Sequence, residues 1–271
     1  ATVRLLMRTN AVWENQASPM KKTMIMLYGA NTAVLDFDNF AQIETMLDKA
    51  VTDLGCYVFV NFINPIRHEA MKTYAYEIFS ELGRVPDFSF HPMGTGGGVW
   101  GTWKGYNELA AMGVTDKVPH MVPVQPEAVC WLKRAVDSGA EVAEMYGDST
   151  RTIAQSISGN SPLQGGRRLI RAVRESGGAA MAVSDDEILA AMVDLGHEGI
   201  GAEPSSASTV AAFKQAVKAG KISSSDTVVC VITGTAFKQP SVVEHIAALP
   251  KYTIRADVDQ LKGLLVRLKL L

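Results

Sequence analysis

The chain alternates short apolar runs with longer segments of helical periodicity, and no other feature constrains its fold more. The runs are rich in branched residues and span Val3–Met7, Ala33–Phe37, Tyr57–Asn61, Phe88–Met93, Met121–Val124, Ala179–Val183 and Thr227–Ile232. Neighbouring parallel strands need a crossover connection, which is usually a helix. The alternation therefore predicts an α/β fold with mostly parallel strands.

The charge balance limits the kinds of partner that the protein can have. The chain has 26 basic and 28 acidic residues, a formal net charge of -2, and the two signs are interspersed. This pattern includes no basic tract for nucleic acid and no polybasic face for a membrane. No apolar run approaches the roughly 20 residues of a membrane-spanning helix, and the start lacks the apolar stretch of a signal peptide. We expect a cytoplasmic protein that acts on small molecules.

The three cysteines are Cys56, Cys130 and Cys230. They are odd in number, far apart and in apolar surroundings, which favours buried free thiols over disulfides, metal ligands or a nucleophile. We therefore predict no metal site.

Two helices are bounded by recognisable capping residues. "SDDE", from Ser184 to Glu187, has the pattern of a capping box ahead of an apolar helix. In "SSASTVAAFKQAVKAGK", Ser205 or Ser206 is the predicted N-cap and Gly220 the predicted C-terminal stop.

Residues 137–166 form the longest stretch that is rich in turn-forming residues. Two interpretations fit this composition: the stretch covers part of a cleft, or it is a plain surface loop.

The sequence "FHPMGTGGGVWGTWKGYNEL", residues 90–109, joins an apolar run to an amphipathic segment beginning near Val99 through a glycine-rich turn. A strand, a glycine turn and a helix N-terminus create a phosphate site, because free amides and the helix dipole point the same way. The turn matches neither the Walker loop nor the dinucleotide fingerprint. From these residues alone, a purely structural tight turn remains the alternative.

A second apolar run, in "DTVVCVITGTAFKQP" at residues 226–240, ends in Thr233, Gly234 and Thr235. Ligands of parallel sheets collect at the carboxyl ends of the strands, so the Thr233 hydroxyl is a candidate ligand contact. The alternative is a threonine that merely closes a strand.

Several stretches together resemble threonine synthase, within the pyridoxal-phosphate enzymes of the tryptophan-synthase-β type, fold type II. They are "NFINPIRHEAMKTYAYEIFSELG" (61–83), "GTGGGVWGTWKGYNEL" (94–109), "TIAQSISGNSPLQGGRRLIRAVRESGG" (152–178) and "GIGAEPSSASTVAAFKQAVKAGKISSSDTVVCVITGTAFKQP" (199–240). The resemblance implies two three-layer α/β/α domains with mostly parallel sheets. Residues 1–61 would be the remnant of an incomplete small domain, and residues 62–271 the large cofactor-binding domain.

The same resemblance implies pyridoxal phosphate as the cofactor. Its phosphate would be held by the backbone of Gly94, Thr95, Gly96, Gly97 and Gly98. Thr233 would face the pyridine nitrogen, and a neutral hydroxyl there cannot hold that nitrogen protonated. Glu203 would lie beside the cofactor ring and order the surrounding loops.

In the family, the stretch that matches Asn61, Asn64 and Arg67 contributes to holding a substrate phosphate. An arginine fork suits a phosphate, although Arg67 also fits a surface arginine at a helix start. Phe62 stands where similar synthases place a small hydroxyl residue, which removes a phosphate donor and argues against homoserine phosphate.

The family's Schiff-base lysine belongs to a Ser-Phe-Lys-like motif that these residues do not contain. Lys21 and Lys22 fall on what resembles a surface or hinge helix, and neither is assigned as that lysine. We therefore assign no catalytic residue in this chain. The lysine would come from an upstream segment or a second chain, and the isolated chain would be incomplete or inactive.

The resemblance implies a lyase of amino-acid biosynthesis, specifically threonine biosynthesis, that eliminates or replaces a β or γ group of an amino acid. The substrate could carry a phosphate, and the protein would form a homodimer or pair with a chain that carries the N-terminal segment. The alternative is a non-catalytic subunit of the same fold that binds a phosphorylated ligand or a partner. The hypothesis of an unrelated nucleotide-binding α/β protein is supported by the glycine loop alone.

Overall fold

The computed structural model describes residues 11–14, 19–30, 32–35, 40–55, 64–247 and 252–271. The strands in this part are β1 (Ala11–Glu14), β2 (Thr32–Leu35), β3 (Phe88–Pro92), β4 (His120–Pro126), β5 (Met181–Val183) and β6 (Val228–Cys230). The α-helices before β4 are α1 (Pro19–Leu27), α2 (Phe40–Leu54), α3 (Pro65–Met71), α4 (Thr73–Leu82) and α5 (Gly97–Ala111). Those after it are α6 (Trp131–Asp137), α7 (Arg167–Glu175), α8 (Asp185–His197), α9 (Pro204–Lys218), α10 (Pro240–Ile246) and α11 (Val258–Arg267).

The larger sheet has the strand order β5, β4, β3, β6, and every neighbouring pair is parallel. Strands β1 and β2 form a separate parallel pair. This confirms the predicted α/β fold with mostly parallel strands. The predicted strands at Val3–Met7 and Tyr57–Asn61 lie outside the described residues, and β1 was not predicted.

Helices cover both faces of the larger sheet. Side chains alternate between the faces along each strand, so each face carries apolar side chains that a layer of helices can bury. Phe90 of β3 is 1% exposed and meets Phe213 of α9 edge-on, with ring centroids 6.3 Å apart. This face packs against α8 and α9, and the opposite face packs against α5, α6 and α7. The large sheet is therefore the middle layer of an α/β/α arrangement.

Small residues let α5 pack closely against α3 and α4. A methyl group added to Gly105 would lie 2.8 Å from the Ala75 Cβ. Beside this contact, Lys72 Nζ and Tyr76 Oη bind Glu108 Oε2 at 2.7 and 2.6 Å. A methyl group on Gly101 would overlap the Met71 side chain, so α3 also packs closely against the first half of α5.

The capping box is confirmed, whereas the predicted N-cap of α9 is wrong. Ser184 and Glu187 exchange both capping hydrogen bonds. Helix α9 starts at Pro204 with Glu203 as N-cap, because the hydroxyls of Ser205 and Ser206 accept hydrogen bonds from other loops. Gly220 follows the helix with φ 68°, as a C-terminal stop requires.

Cys130 and Cys230 are free thiols, as expected, but they are half-buried. Burial raises the pKa of Cys230 to about 12, so its thiol is protonated at neutral pH. Cys56 lies outside the described residues.

Candidate active site

A cleft of about 800 Å³ opens beyond the carboxyl ends of β3 and β6. These strands are parallel neighbours, so the segments that follow them, the glycine loop and Thr233, emerge at the same edge of the sheet. The volume lies in the range of small-molecule sites. The residues that line the cleft are Arg67, Met71, Tyr74, His91, Pro92, Gly94 to Gly98, Ser149, Thr150, Thr152, Gln155 to Gly159, Ser205 and Thr233.

The glycine loop places the N-terminus of α5 at this cleft. Helix α5 begins at Gly97, two residues before the predicted start, and Gly96 is its N-cap with φ 85°. A methyl group on Gly96 would overlap the Leu169 side chain, and one on Gly97 would lie 3.3 Å from Arg67 Nη1. The loop therefore needs glycine for both its backbone angle and its close contacts. The phosphate-binding role of Gly94, Thr95, Gly96, Gly97 and Gly98 stays a prediction.

Arg67, on the first turn of α3, lies against this loop and lines the cleft. Burial lowers the pKa of its guanidinium and the nearby Tyr74 partly offsets this, yet an arginine stays charged at neutral pH. Arg67 can therefore reach an anion at the glycine loop.

Asn64 is buried and caps α3, since its Oδ1 accepts hydrogen bonds from the amides of Ile66 and Arg67 at 2.9 and 3.4 Å. It does not line the cleft, so the geometry gives it a role in orienting Arg67. Asn61 and Phe62 lie outside the described residues. The substrate-binding role of Asn61, Asn64 and Arg67 stays a prediction.

Thr233 is exposed in the cleft, and its Oγ1 lies 3.0 Å from the buried Ser206 Oγ. Ser206 Oγ also accepts the amide of Gly234 at 2.7 Å. Ser206 can thus donate its own proton to Thr233, which leaves the Thr233 proton available to an acceptor in the cleft. A neutral pyridine nitrogen is such an acceptor.

Glu203 is 2% exposed. It contacts Gly234, the residue that follows Thr233. Its amide donates to the Gly234 carbonyl at 3.0 Å, and a methyl group on Gly234 would overlap the Glu203 carboxylate and approach Lys238. Glu203 does not line the cleft. This position agrees with an ordering role, and its predicted place beside the cofactor ring stays a prediction.

Residues 149–159 supply much of the cleft lining, as the cleft interpretation of residues 137–166 expects. Asp185 at the start of α8 accepts hydrogen bonds from Thr152 Oγ1 at 2.7 Å and the Ile153 amide at 3.0 Å. The Ser156 amide donates to Ser205 Oγ at 3.1 Å. The loop is therefore attached to the starts of two helices beneath it.

His91 was not predicted as a site residue. It lines the cleft on β3, and its Nε2 lies 3.0 Å from Ser89 Oγ. Burial lowers the pKa of His91 to about 3, so the imidazole is neutral at physiological pH. A histidine inside the apolar run "FSFHPM", directly before the glycine loop, is the sequence signal that could have identified it.

These residues fit pyridoxal phosphate. The helix N-terminus and Arg67 suit its phosphate, and the glycines leave space that a Cβ atom would fill. The neutral Thr233 hydroxyl suits its ring nitrogen. Helix α1 contains Lys21 and Lys22, and their exclusion as the Schiff-base lysine stays a prediction.

Comparison with known families agrees with this fit. Residues 2–234 match the family described as pyridoxal-phosphate dependent enzymes.

Curated relatives of similar sequence are threonine synthases. That of Methanosarcina acetivorans is 38% identical over 205 residues, which are 75% of this chain and 50% of the relative. That of Methanocaldococcus jannaschii is 32% identical over 257 residues, which are 94% of this chain and 62% of the relative. The chain thus spans between 50% and 62% of the length of these two relatives.

Solved structures show the same fold. The processed form of threonine deaminase isoform 2 from Solanum lycopersicum has a TM-score of 0.69 at 19% identity, over 89% of this chain and 67% of that one. At this identity the similarity concerns the fold alone.

Proposed function

Because this chain belongs to the family of pyridoxal-phosphate dependent enzymes, we propose that it forms the phosphate and ring sites of a threonine synthase-like lyase. The reaction eliminates a β or γ leaving group from an amino acid and adds water or another nucleophile. One observation carries the proposal: the glycine loop and Thr233 line the same cleft. A phosphate and a ring nitrogen of one cofactor can therefore be bound together.

When bound, pyridoxal phosphate supplies an electron sink for the α-carbon of the amino acid. The amides at the start of α5 bind the phosphate. The Thr233 hydroxyl donates to the ring nitrogen without protonating it, which favours elimination and replacement over transamination. Residues 149–159, which line much of the cleft, reduce the access of water.

Arg67, oriented by Asn64, adds positive charge beside the glycine loop. We propose that Arg67 also serves a substrate phosphate, with Asn61 as a further contact and Asn64 as the residue that orients Arg67. Supplying an O-phosphorylated and a non-phosphorylated γ-substituted amino acid to the full-length protein tests this. Release of inorganic phosphate from the first supports it, and turnover of the second alone contradicts it.

The ring site is tested with Thr233→Val, which removes the hydroxyl and keeps the shape. The probe is pyridoxamine phosphate, which has the ring and phosphate but no aldehyde, so its binding needs no lysine. Loss of one neutral hydrogen bond weakens binding by about two- to tenfold. Fluorescence titration measures the dissociation constant, and Thr235→Val, at an exposed threonine two residues further on, is the control.

Binding that is weakened by Thr233→Val and unchanged by Thr235→Val supports the ring site. Absence of binding to the wild-type chain contradicts the proposal as a whole. Binding that is indifferent to Thr233→Val contradicts the role of Thr233 and favours a protein that binds the phosphate alone.

We further propose a small domain within residues 1–61, a large domain within 62–271, and a homodimer in the cytoplasm. Among the described residues, no helix combines the length and apolarity needed to cross a membrane. Light scattering of the purified protein tests the dimer, and a monomer at micromolar concentration contradicts it. Limited proteolysis tests the proposed domain boundary. We expect early cleavage near residue 61.

A further inference from the structure

We propose that His91 is an additional phosphate-binding residue: its neutral imidazole donates the Nδ1–H to the phosphate monoester held by the glycine loop. The inference rests on the proposed function, because that phosphate is the cofactor's. It adds a side-chain donor to the backbone donors of the loop.

The position of His91 supports this role. Only 2% of the residue is exposed, yet it lines the cleft together with the glycine loop. A methyl group on Gly98, in the first turn of α5, would lie 3.9 Å from His91 Nδ1. Tyr74 meets the imidazole edge-on, with ring centroids 6.0 Å apart, and helps to fix its plane. The Nδ1 atom therefore lies beside the amides that the phosphate would contact.

The hydrogen bond to Ser89 selects the tautomer. Ser89 is fully buried on β3, and His91 Nε2 is the partner that its hydroxyl has among the described residues. If Nε2 carried the proton, the Ser89 proton would have no acceptor in that part of the chain, which is costly for a buried hydroxyl. Ser89 therefore donates to Nε2, and the proton of the neutral ring is on Nδ1.

That Nδ1–H has no hydrogen-bond acceptor among the described residues. Because His91 lines the cleft beside the glycine loop, this donor is open to a ligand there, and a phosphate oxygen would satisfy it. Burial keeps the imidazole neutral, so the charge opposite the phosphate comes from Arg67 and the helix dipole, while His91 supplies direction.

Binding of pyridoxamine phosphate and of pyridoxamine, which lacks the phosphate, tests the assignment in His91→Leu and His91→Asn. His91→Leu loses a hydrogen bond to a charged group, so its binding of pyridoxamine phosphate should be about 10- to 100-fold weaker. Binding of pyridoxamine should not change. The asparagine can place an amide N–H near the former Nδ1, so His91→Asn should recover much of the loss. His120→Asn is the control, since His120 on β4 binds the Ser176 carbonyl and does not line the cleft.

A His91→Leu chain that is folded and binds pyridoxamine phosphate like the wild type overturns the inference and leaves the proposed function intact. An equal loss for both ligands also overturns it, because the effect would then be structural. If the wild-type chain binds neither pyridoxamine phosphate nor inorganic phosphate, the proposed function fails and the inference fails with it.

A measurement on the wild-type chain covers the case in which His91→Leu does not fold. Nitrogen–proton correlation NMR distinguishes the two tautomers of each of the 5 histidines. We expect His91 to carry its proton on Nδ1, and this proton to shift downfield when pyridoxamine phosphate or inorganic phosphate is added. A proton on Nε2, or an Nδ1 proton that does not respond to either ligand, overturns the inference.

Discussion

Replacing Gly96 by alanine should destabilise the protein strongly, although the change adds a single methyl group. Gly96 is the N-cap of α5 and has φ 85° and ψ 12°. Its added Cβ would overlap Cδ1, Cδ2 and Cγ of Leu169. Leu169 belongs to α7, is 1% exposed and lies in the hydrophobic core. The substitution therefore introduces both backbone strain and overpacking.

The two effects can be estimated separately. An L-residue with a side chain in the left-handed region costs about 1–2 kcal/mol. Forcing an extra methyl group into a packed core costs about 1–3 kcal/mol. Because the start of α5 moves to relieve the overlap, the loop amides also move and phosphate binding weakens. We expect the free energy of unfolding to fall by about 2–5 kcal/mol in total.

Gly113→Ala is the matched control. Gly113 follows the other end of α5, has φ 72°, and has nothing within 4 Å of its added Cβ. It should lose only the backbone part, about 1–2 kcal/mol. Urea unfolding monitored by tryptophan fluorescence measures both variants, and pyridoxamine phosphate binding measures the loop. Equal losses of stability in the two variants, or unchanged binding in Gly96→Ala, would refute the reasoning.

Two further predictions concern the cleft. Asp185→Ala removes two hydrogen bonds that hold residues 149–159, so amide exchange in that loop should accelerate by about tenfold or more, with Asp186→Ala as the control. Hydrogen–deuterium exchange measures this, and protection that equals the wild type's contradicts it. Since burial lowers the pKa of His91 to about 3, the unfolded chain binds a proton below about pH 6.5 that the folded chain excludes. Stability should therefore fall as the pH decreases from about 6.5 to 4.5, by up to about 1.4 kcal/mol per pH unit. In His91→Asn, urea unfolding at each pH should show a free energy of unfolding that lacks this contribution. A dependence on pH as steep as that of the wild type contradicts the effect.

Features that depend on neighbouring residues could be predicted from the sequence. The strands β3 to β6, the capping box at Ser184 and the stop at Gly220 follow from local periodicity and local hydrogen bonds. The glycine loop after β3 was found for the same reason, since a left-handed N-cap at Gly96 requires glycine. The family resemblance added the cofactor, which no local pattern identifies.

Features that depend on distant residues required the tertiary structure. The N-cap of α9 was predicted at Ser205 or Ser206, but their hydroxyls bind Ser156 and Gly234, which lie far away in sequence. The position of Arg67 against Gly97 likewise depends on how α3 packs on α5.

The cleft likewise combines features that the local sequence predicts with features that only the tertiary structure decides. The sequence predicted a glycine loop and a threonine, each after an apolar strand. The pairing of β3 with β6 brings both to one edge of the sheet, and strand order depends on long-range packing that local periodicity does not encode. That packing also buries His91 beneath the loop, which makes an ordinary strand histidine a neutral hydrogen-bond donor at the cleft.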